Sequence, residues 1–154
     1  MSWESAAQDT TEKTAEGFHL YRATRFIRAK KDGTELKTAG GDPKLLVVYE
    51  DEAGGEGVVT YTLTEKAQWK LARDLARLGI DVADLDKRGV GMDDFANVDF
   101  VETELGGAKS FGYASMNGSY MNIDLCRRDE VPADIRDMLE GADKQKADDD
   151  NLIF

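Results

Sequence analysis

A run of basic side chains near the start of the chain is the first group able to do chemistry. Residues 17–31 contain no acid and five basic residues, Arg22, Arg25, Arg28, Lys30 and Lys31. Arginine and lysine pair with phosphate oxygens, and the planar guanidinium group of arginine also stacks on bases. We therefore interpret the run as a phosphate-binding track, with a solvated polar face as the alternative. Further candidate phosphate contacts are Lys37, Lys44 and Lys109.

Four aromatic residues are candidates for stacking on bases. Tyr49 and Tyr61 lie in predicted strands, and Phe111 and Tyr113 lie in a predicted loop. An interface that binds single strands without sequence preference needs such rings beside its cations, and each stacked base contributes about 1–3 kcal/mol. The alternative for Tyr49 and Tyr61 is core packing, because a strand side chain points inward or outward by parity. The alternative for Phe111 and Tyr113 is that the two rings fold back onto the barrel and form a small core of their own hairpin. Trp69, on a predicted helix, is more typical of a packing anchor.

The segment 148–154 combines an acidic run with a closing apolar group. Its acids are Asp148, Asp149 and Asp150, and its apolar residues are Leu152, Ile153 and Phe154. This pattern is typical of a ligand whose apolar end enters a partner's pocket while the partner's Arg or Lys pairs with the acids. A solvated acidic tail is the alternative. Because the segment is polyanionic, we also expect it to compete with nucleic acid for a basic groove.

Neither catalysis nor cofactor binding is predicted. His19 is the single histidine, and it lies in a predicted strand with no nucleophile motif nearby. The single cysteine, Cys126, cannot form an internal disulfide or complete a zinc site with His19. The acid pairs at 93–94 and 102/104 lack a recognisable third ligand. We therefore expect no metal site, no cofactor and no enzymatic activity.

The net charge is −11, and its distribution matters more than its total. Residues 1–16 carry −3 and residues 129–154 carry −6, so residues 17–128 are close to neutral. Charges beyond a Debye length of about 8–10 Å are largely screened, so global acidity does not exclude a nucleic-acid ligand. No apolar run approaches the roughly 20 residues of a membrane span, and no secretory signal is visible. We therefore expect a cytoplasmic protein with no membrane partner.

Five strands and one main helix are predicted from alternation, apolar runs and turn signals. The first strand, over residues 17–29, slips in its alternation near Ala23 and Thr24, which predicts a β-bulge. Residues 80–96 read as irregular or short helical, and residues 106–118 read as a long loop. The other elements are strands at 45–49 and 58–63, a helix from 65 to 78 capped by Thr64, strands at 98–105 and 119–127, and a short helix at about 133–140.

This order predicts a mainly β protein, a five-stranded OB-fold-like Greek-key barrel with a helix between strands 3 and 4. Another small barrel, or an antiparallel sheet covered by one helix, would share most of the pattern. We assign residues 17–128 to the barrel, 1–16 to a flexible leader, and 129–154 to a short helix and an acidic C-terminal tail. The barrel is thus expected to be flanked by disordered acidic termini. In an OB-fold, the ligand lies across strands 2 and 3, between the loops that join strands 1 to 2 and 4 to 5.

The acidic segment with Phe154 last resembles the tip of bacterial and phage single-stranded DNA-binding proteins. Residues 17–128 resemble small phage-encoded proteins of that kind through Gly17-Phe18-x-Leu20, Lys31-Asp32-Gly33, the helix around Trp69, and Tyr120-Met121-Asn122-Ile123. The resemblance implies an OB-fold that coats single-stranded DNA in replication, recombination or repair, in the cytoplasm or nucleoid of a bacterial host. It also implies that the tip recruits a helicase, primase, polymerase, nuclease or recombinase. Homo-oligomer formation is left open.

Two other functions are compatible with the residues. The first is a protein-interaction adaptor or inhibitor that displays the acidic tip to a host replication or repair protein without binding DNA. The second is an oligosaccharide-binding barrel, which would use the same aromatic rings without needing the arginine run. Salt-sensitive binding to single-stranded DNA would distinguish the first prediction from both.

Overall fold

The structure is a computed structural model that describes residues 13–151, with side chains described through residue 145. Its strands are β1 Gly17–Ile27, β2 Lys44–Glu50, β3 Glu56–Thr62, β4 Lys109–Asn117 and β5 Tyr120–Cys126. They form one open antiparallel sheet in the order β3-β2-β1-β4-β5. The prediction of a mainly β protein with five strands is therefore confirmed for the described residues.

Four α-helices accompany the strands. They are α1 Gln68–Arg77, α2 Val82–Lys87, α3 Val98–Leu105 and α4 Ala133–Asn151, with short 3-10 segments at Glu65–Ala67, Met92–Ala96 and Arg128–Glu130. The predicted cap is confirmed, because the Thr64 hydroxyl accepts a hydrogen bond from the backbone N–H of Ala67 at 3.3 Å. In the part of the chain that the structure describes, none of these helices has the length and apolar character needed to cross a membrane.

The β-bulge predicted in the first strand is confirmed. Arg22 lies opposite Glu50 and Ala23 opposite Tyr49, but the next pair is Arg25 with Val48, so Thr24 is the extra residue. The side chain of this bulge residue is hydrogen-bonded, because the Thr24 hydroxyl donates to the carbonyl oxygen of Val48 at 3.2 Å. The one-residue slip changes which side chains of β1 share a face of the sheet.

The prediction of a strand at residues 98–105 is wrong, because these residues form α3. Asn97 caps the helix, its side-chain oxygen accepting hydrogen bonds from the N–H groups of Asp99 and Phe100. Val101 and Leu105, four residues apart, are buried on one helix face, which is the helical and not the strand period. The apolar spacing of 98, 101 and 105 therefore outweighs the local alternation.

The predicted loop at 106–118 is also wrong, because residues 109–117 form β4. Its inward-facing residues, Ser110, Gly112 and Ala114, are all small and buried. The ring of Tyr21 fills the space above Gly112, since a Cβ at position 112 would lie 2.9 Å from the Tyr21 ring. A small-residue strand is therefore the complement of a large neighbouring side chain, not a sign of a loop.

The inner face of the sheet carries the main core. Large buried side chains from β1, β2 and β3, including Tyr21, Val47 and Val59, pack there with Leu71 and Leu75 of α1 and with Val101 of α3. At one end the two edge strands also meet. Gly57 of β3 and Ile123 of β5 pack so closely that a methyl group at position 57 would overlap the Ile123 side chain.

A second, smaller cluster lies on the opposite face of the sheet, under α4. Phe111 of β4 packs there with Val131 and Leu139, and Leu20 and Cys126 adjoin them. The C-terminal helix is thus longer than the predicted 133–140, and its first turns are part of the packed structure. At the other end of the described chain, Thr14 of the predicted flexible leader is buried, and its N–H donates to the carbonyl oxygen of Glu56 at 2.9 Å.

Candidate nucleic-acid interface

Because of the bulge, two of the predicted arginines lie on one face of the sheet. Arg22 and Arg25 are opposite Glu50 and Val48, which are two residues apart in β2 and so point the same way. The pairing continues from Val48 to Val58 in β3. We define the outer face as this side of β1, β2 and β3, with Arg22, Arg25, Val48, Val58 and Thr60.

Both arginines of the outer face are paired with acids. The Arg25 guanidinium group donates to Glu56 at 3.1 Å, and its side chain is 64% exposed. Arg22 lies 3.6 Å from an oxygen of Asp143 on α4, and the other Asp143 oxygen accepts from Lys109 at 2.7 Å. A phosphate contact at any of these cations therefore requires that an acid of this chain give way.

The prediction that Arg28 contacts phosphates does not fit its position, because it is only 8% exposed. Its guanidinium group donates to the carbonyl oxygens of Leu36, Lys44 and Ala96 at 3.0, 2.7 and 3.3 Å. It also forms an ion pair with Glu35. Arg28 thus fixes the connection between β1 and β2 against the rest of the fold.

The predicted lysines of the β1–β2 connection remain available. Lys30, Lys31 and Lys37 are exposed, and Lys44 at the start of β2 is half-buried. Within the described residues, no carboxylate forms an ion pair with any of the four. These lysines are thus the unpaired part of the predicted phosphate track.

The two strand tyrosines belong to the core, so the prediction that they stack on bases does not fit the structure. Tyr49 is fully buried and Tyr61 is 1% exposed. Their hydroxyl groups are 2.9 Å apart, and the Tyr61 hydroxyl donates to the buried Asp74 carboxylate at 2.6 Å. Burial, the largest cause, raises the pKa of both tyrosines well above the usual value. They act as a polar bridge between the sheet and α1.

The two rings of β4 have different surroundings. Phe111 is 7% exposed beneath α4, so a base cannot reach it in this structure. Tyr113 is 43% exposed and contacts Phe18 edge to face, with ring centroids 4.8 Å apart. Of the four predicted stacking residues, only Tyr113 presents a ring to solvent.

A groove between the two edge strands contains residues that the sequence reading missed. Val58 and Thr60 of β3 line it together with Tyr120 and Asn122 of β5, and Lys70 of α1 also contributes to the lining. Tyr120 is 76% exposed, the most exposed large apolar side chain of the described residues. Lys70 donates to the carbonyl oxygen of Thr60 at 3.0 Å and lies 5.3 Å from the Tyr61 ring centroid.

The composition of this groove suits bases and phosphates at different points. The Tyr120 ring offers a stacking surface, and Lys70 offers a cation beside the edge strand β3. Asn122 and Asp124, which also line the groove, offer hydrogen-bond acceptors that match the amino groups of bases. The sequence Tyr120-Met121-Asn122-Ile123 is typical of a strand, but it does not determine which of these side chains face outward.

Trp69 is exposed, contrary to its interpretation as a packing anchor. Its side chain is 64% exposed, and the Arg73 guanidinium group lies 5.3 Å from the ring, one turn further along α1. This indole is a second large ring on the surface beside a cation. It does not line the groove between β3 and β5.

The predicted partner-binding segment is only partly described. Asp148, Asp149 and Asp150 fall within α4, in the part whose side chains are not described. Leu152, Ile153 and Phe154 lie outside the described residues. The partner-binding role of the segment stays a prediction.

Comparison with known proteins found no family model that matches the chain and no curated protein that is similar to it.

Proposed function

We propose that this protein binds single-stranded DNA without sequence preference, through the outer face and the groove between β3 and β5. Bases would stack on Tyr120 and Tyr113. Phosphates would contact Lys70, Lys30, Lys31 and Lys37, with Arg25 after displacement of Glu56. This interface has stacking rings and a discontinuous set of cations, the two elements that sequence-independent binding requires.

The strand pairing supports an OB-fold as the basis of this function. In that fold a five-stranded, partly open barrel carries a helix between strands 3 and 4 and binds its ligand over strands 2 and 3. Here α1 follows β3, the edge strands β3 and β5 meet at Gly57 and Ile123, and both candidate surfaces include β3. The observation that carries the proposal is that the exposed Tyr120 ring and Lys70 line the same groove between β3 and β5.

We further propose that the segment 148–154 recruits a replication, recombination or repair protein, in a bacterial or phage setting and in the cytoplasm. The support is its composition, since acids followed by Leu, Ile and Phe suit a basic-rimmed apolar pocket. No catalytic step is proposed. Removing residues 148–154 should abolish partner binding while leaving DNA affinity unchanged or higher.

A non-DNA-binding adaptor is the second candidate. The observation that favours it is the neutralisation of Arg22, Arg25 and Lys109 by Asp143 and Glu56, which reduces the positive field of the sheet. Under this proposal the sheet only displays the acidic segment, and the groove stays empty of DNA.

Backbone NMR with a thirty-base oligothymidine tests the proposal at residue level. We expect the amide signals of Val58, Thr60, Tyr120 and Asn122 to move first, and those of α2 to stay in place. The same sequence as duplex should move none of them. Shifts confined to residues far from the groove would contradict the proposed interface, and no shift at all would favour the adaptor.

A further inference from the structure

The single histidine lies in a cluster with two carboxylates, at the end of the sheet away from the proposed groove residue Lys70. His19 is in β1, and Asp51 and Glu52 begin the turn between β2 and β3. His19 Nδ1 lies 2.8 Å from Glu52 Oε1 and 3.7 Å from Asp51 Oδ2. The side chains of His19, Glu52 and Asp51 are 12%, 11% and 2% exposed, so the cluster is shielded from bulk water.

Hydrogen bonding around the ring fixes which nitrogen carries a proton. Nε2 lies 2.7 Å from the carbonyl oxygen of Ala15, which can only accept, so Nε2 donates there. The lone pair of Nδ1 in a neutral ring therefore points at the Glu52 carboxylate. Two acceptors at 2.8 Å require a positive charge between them, either a proton on Nδ1 or a cation.

The net charge of the cluster favours a bound cation over a single proton between His19 and Glu52. Two carboxylates and a protonated imidazole leave a net charge of −1 in a shielded site, offset only by hydrogen bonds from backbone N–H groups and the Thr14 hydroxyl. A divalent ion bound by neutral imidazole and the two carboxylates leaves no net charge. The carbonyl bond to Nε2 is also the outer contact that orients a metal-binding histidine and raises its basicity.

The other atoms of both carboxylates are held in place by the backbone. Asp51 Oδ1 accepts from the N–H groups of Ala53 and Gly55, and Glu52 Oε2 accepts from the N–H of Leu20. This leaves Glu52 Oε1 and Asp51 Oδ2 directed toward His19, with Oδ2 also accepting from the Thr14 hydroxyl at 2.6 Å. The acids are therefore pre-positioned rather than free to turn away.

We propose that His19 Nδ1, Glu52 Oε1 and Asp51 Oδ2 bind a divalent transition-metal ion, with zinc as the best match. All three atoms lie within 4.8 Å of one another. Ligand atoms of a tetrahedral zinc with bonds near 2.0–2.1 Å are about 3.3 Å apart, so small side-chain rotations suffice. A nitrogen and two carboxylate oxygens suit zinc better than the all-oxygen shells of calcium and magnesium.

The ion would fasten three segments at once. The segment before β1 contacts the cluster through Thr14 and Ala15. The β2–β3 turn provides Asp51 and Glu52, and β1 provides His19. We expect bound zinc to hold the segment before β1 onto the sheet and to raise the temperature of unfolding. This role is independent of DNA binding.

The test is a zinc titration of the whole chain after dialysis against a chelator. Calorimetry measures the stoichiometry and affinity, and NMR monitors the imidazole of His19. We expect one ion per chain and loss of at least tenfold affinity in His19→Gln and Glu52→Gln. Cys126→Ser and Asp93→Asn, which change other potential ligands, should bind zinc like the parent protein. Magnesium at the same concentrations should bind far more weakly.

The imidazole signals keep the test decisive even where His19→Gln fails to fold. In the parent protein, zinc should remove the Nδ1 proton and shift the Nδ1 resonance while Nε2 stays protonated. A ring that stays doubly protonated in the presence of zinc would overturn the proposal and leave His19 as a purely ionic clamp. Zinc binding that survives His19→Gln with the fold intact would overturn it as well.

Discussion

Asp143 on α4 accepts a hydrogen bond from Lys109 on β4 at 2.7 Å. The second Asp143 oxygen lies 3.6 Å from Arg22 on β1, so one acid of the C-terminal helix neutralises two cations of the sheet. Both cations were predicted phosphate contacts. The helix that continues into the acidic segment thus already occupies one flank of the predicted basic track.

Asp143→Asn should therefore strengthen DNA binding at low salt. Arg22 and Lys109 would become free to contact phosphates, and each added contact steepens the salt dependence of binding by about one unit of log–log slope. We expect a severalfold gain in affinity for oligothymidine, with stability changed by no more than about 1 kcal/mol because the pairs are near the surface. Asp137→Asn, an exposed acid of the same helix, is the matched control. Equal affinities for all three proteins would show that Asp143 masks nothing.

Tyr61→Phe should lower stability without weakening DNA binding. The change removes the hydroxyl between Tyr49 and the buried Asp74, and leaving buried polar partners unpaired costs about 1–3 kcal/mol. Urea unfolding of this variant should be compared with that of Tyr120→Phe, whose exposed hydroxyl predicts a change within about 0.5 kcal/mol. If Tyr61→Phe had the stability of the parent protein but bound DNA poorly, Tyr61 would have to be a DNA-binding residue and not a core residue.

Arg28→Ala should be strongly destabilising, because Arg28 is buried at the end of β1. Three carbonyl oxygens lose their donor and Glu35 loses its partner, for an expected cost of about 2–4 kcal/mol. Arg25→Ala, which breaks one exposed pair, should cost less than about 1 kcal/mol. Chemical denaturation of both variants measures the difference. Similar losses would mean that Arg28 does not hold the β1–β2 connection.

Cys126 should react slowly with alkylating reagents while the protein is folded. Burial, the largest cause, raises the pKa of the thiol to about 11 from a usual value of 9.0, because it disfavours the thiolate. At pH 8 the reactive thiolate is then on the order of a thousandth of the total, and its share rises about tenfold per pH unit up to the pKa. Iodoacetamide rates from pH 7 to 10, with urea-unfolded protein as control, check this. A folded rate equal to the unfolded one would contradict it.

The sequence predicted the first half of the fold well because its signals there are local. Strands β1, β2 and β3 follow alternation and turn residues, Thr64 marks the start of the helix, and the slip near Ala23 marks the bulge. The prediction of the second half was wrong at positions where contacts between residues distant in sequence determine the secondary structure. Gly112 reads as a loop residue, and only the neighbouring Tyr21 ring explains a glycine within a strand.

The candidate site was predicted less well than the fold, for the same reason. Residue type alone cannot distinguish Tyr61, whose ring fills the core, from Tyr120, whose ring is exposed. Nor can it distinguish Arg28, a buried structural residue, from Lys30 two positions later. The structure leaves Lys30, Lys31 and Lys37 exposed, and their contact with DNA stays a prediction.

The measurement that tests the central claim most directly is a fluorescence-polarisation titration of a labelled thirty-base oligothymidine, at low and moderate salt, beside the same strand as duplex. The parent protein should bind the single strand alone and lose affinity with salt. Tyr120→Ala should lose about 5- to 150-fold in affinity, as expected for one stacked base, while Lys87→Gln on α2 should match the parent. No binding to the single strand, or equal binding to duplex, would contradict the account and leave the adaptor function as the better explanation.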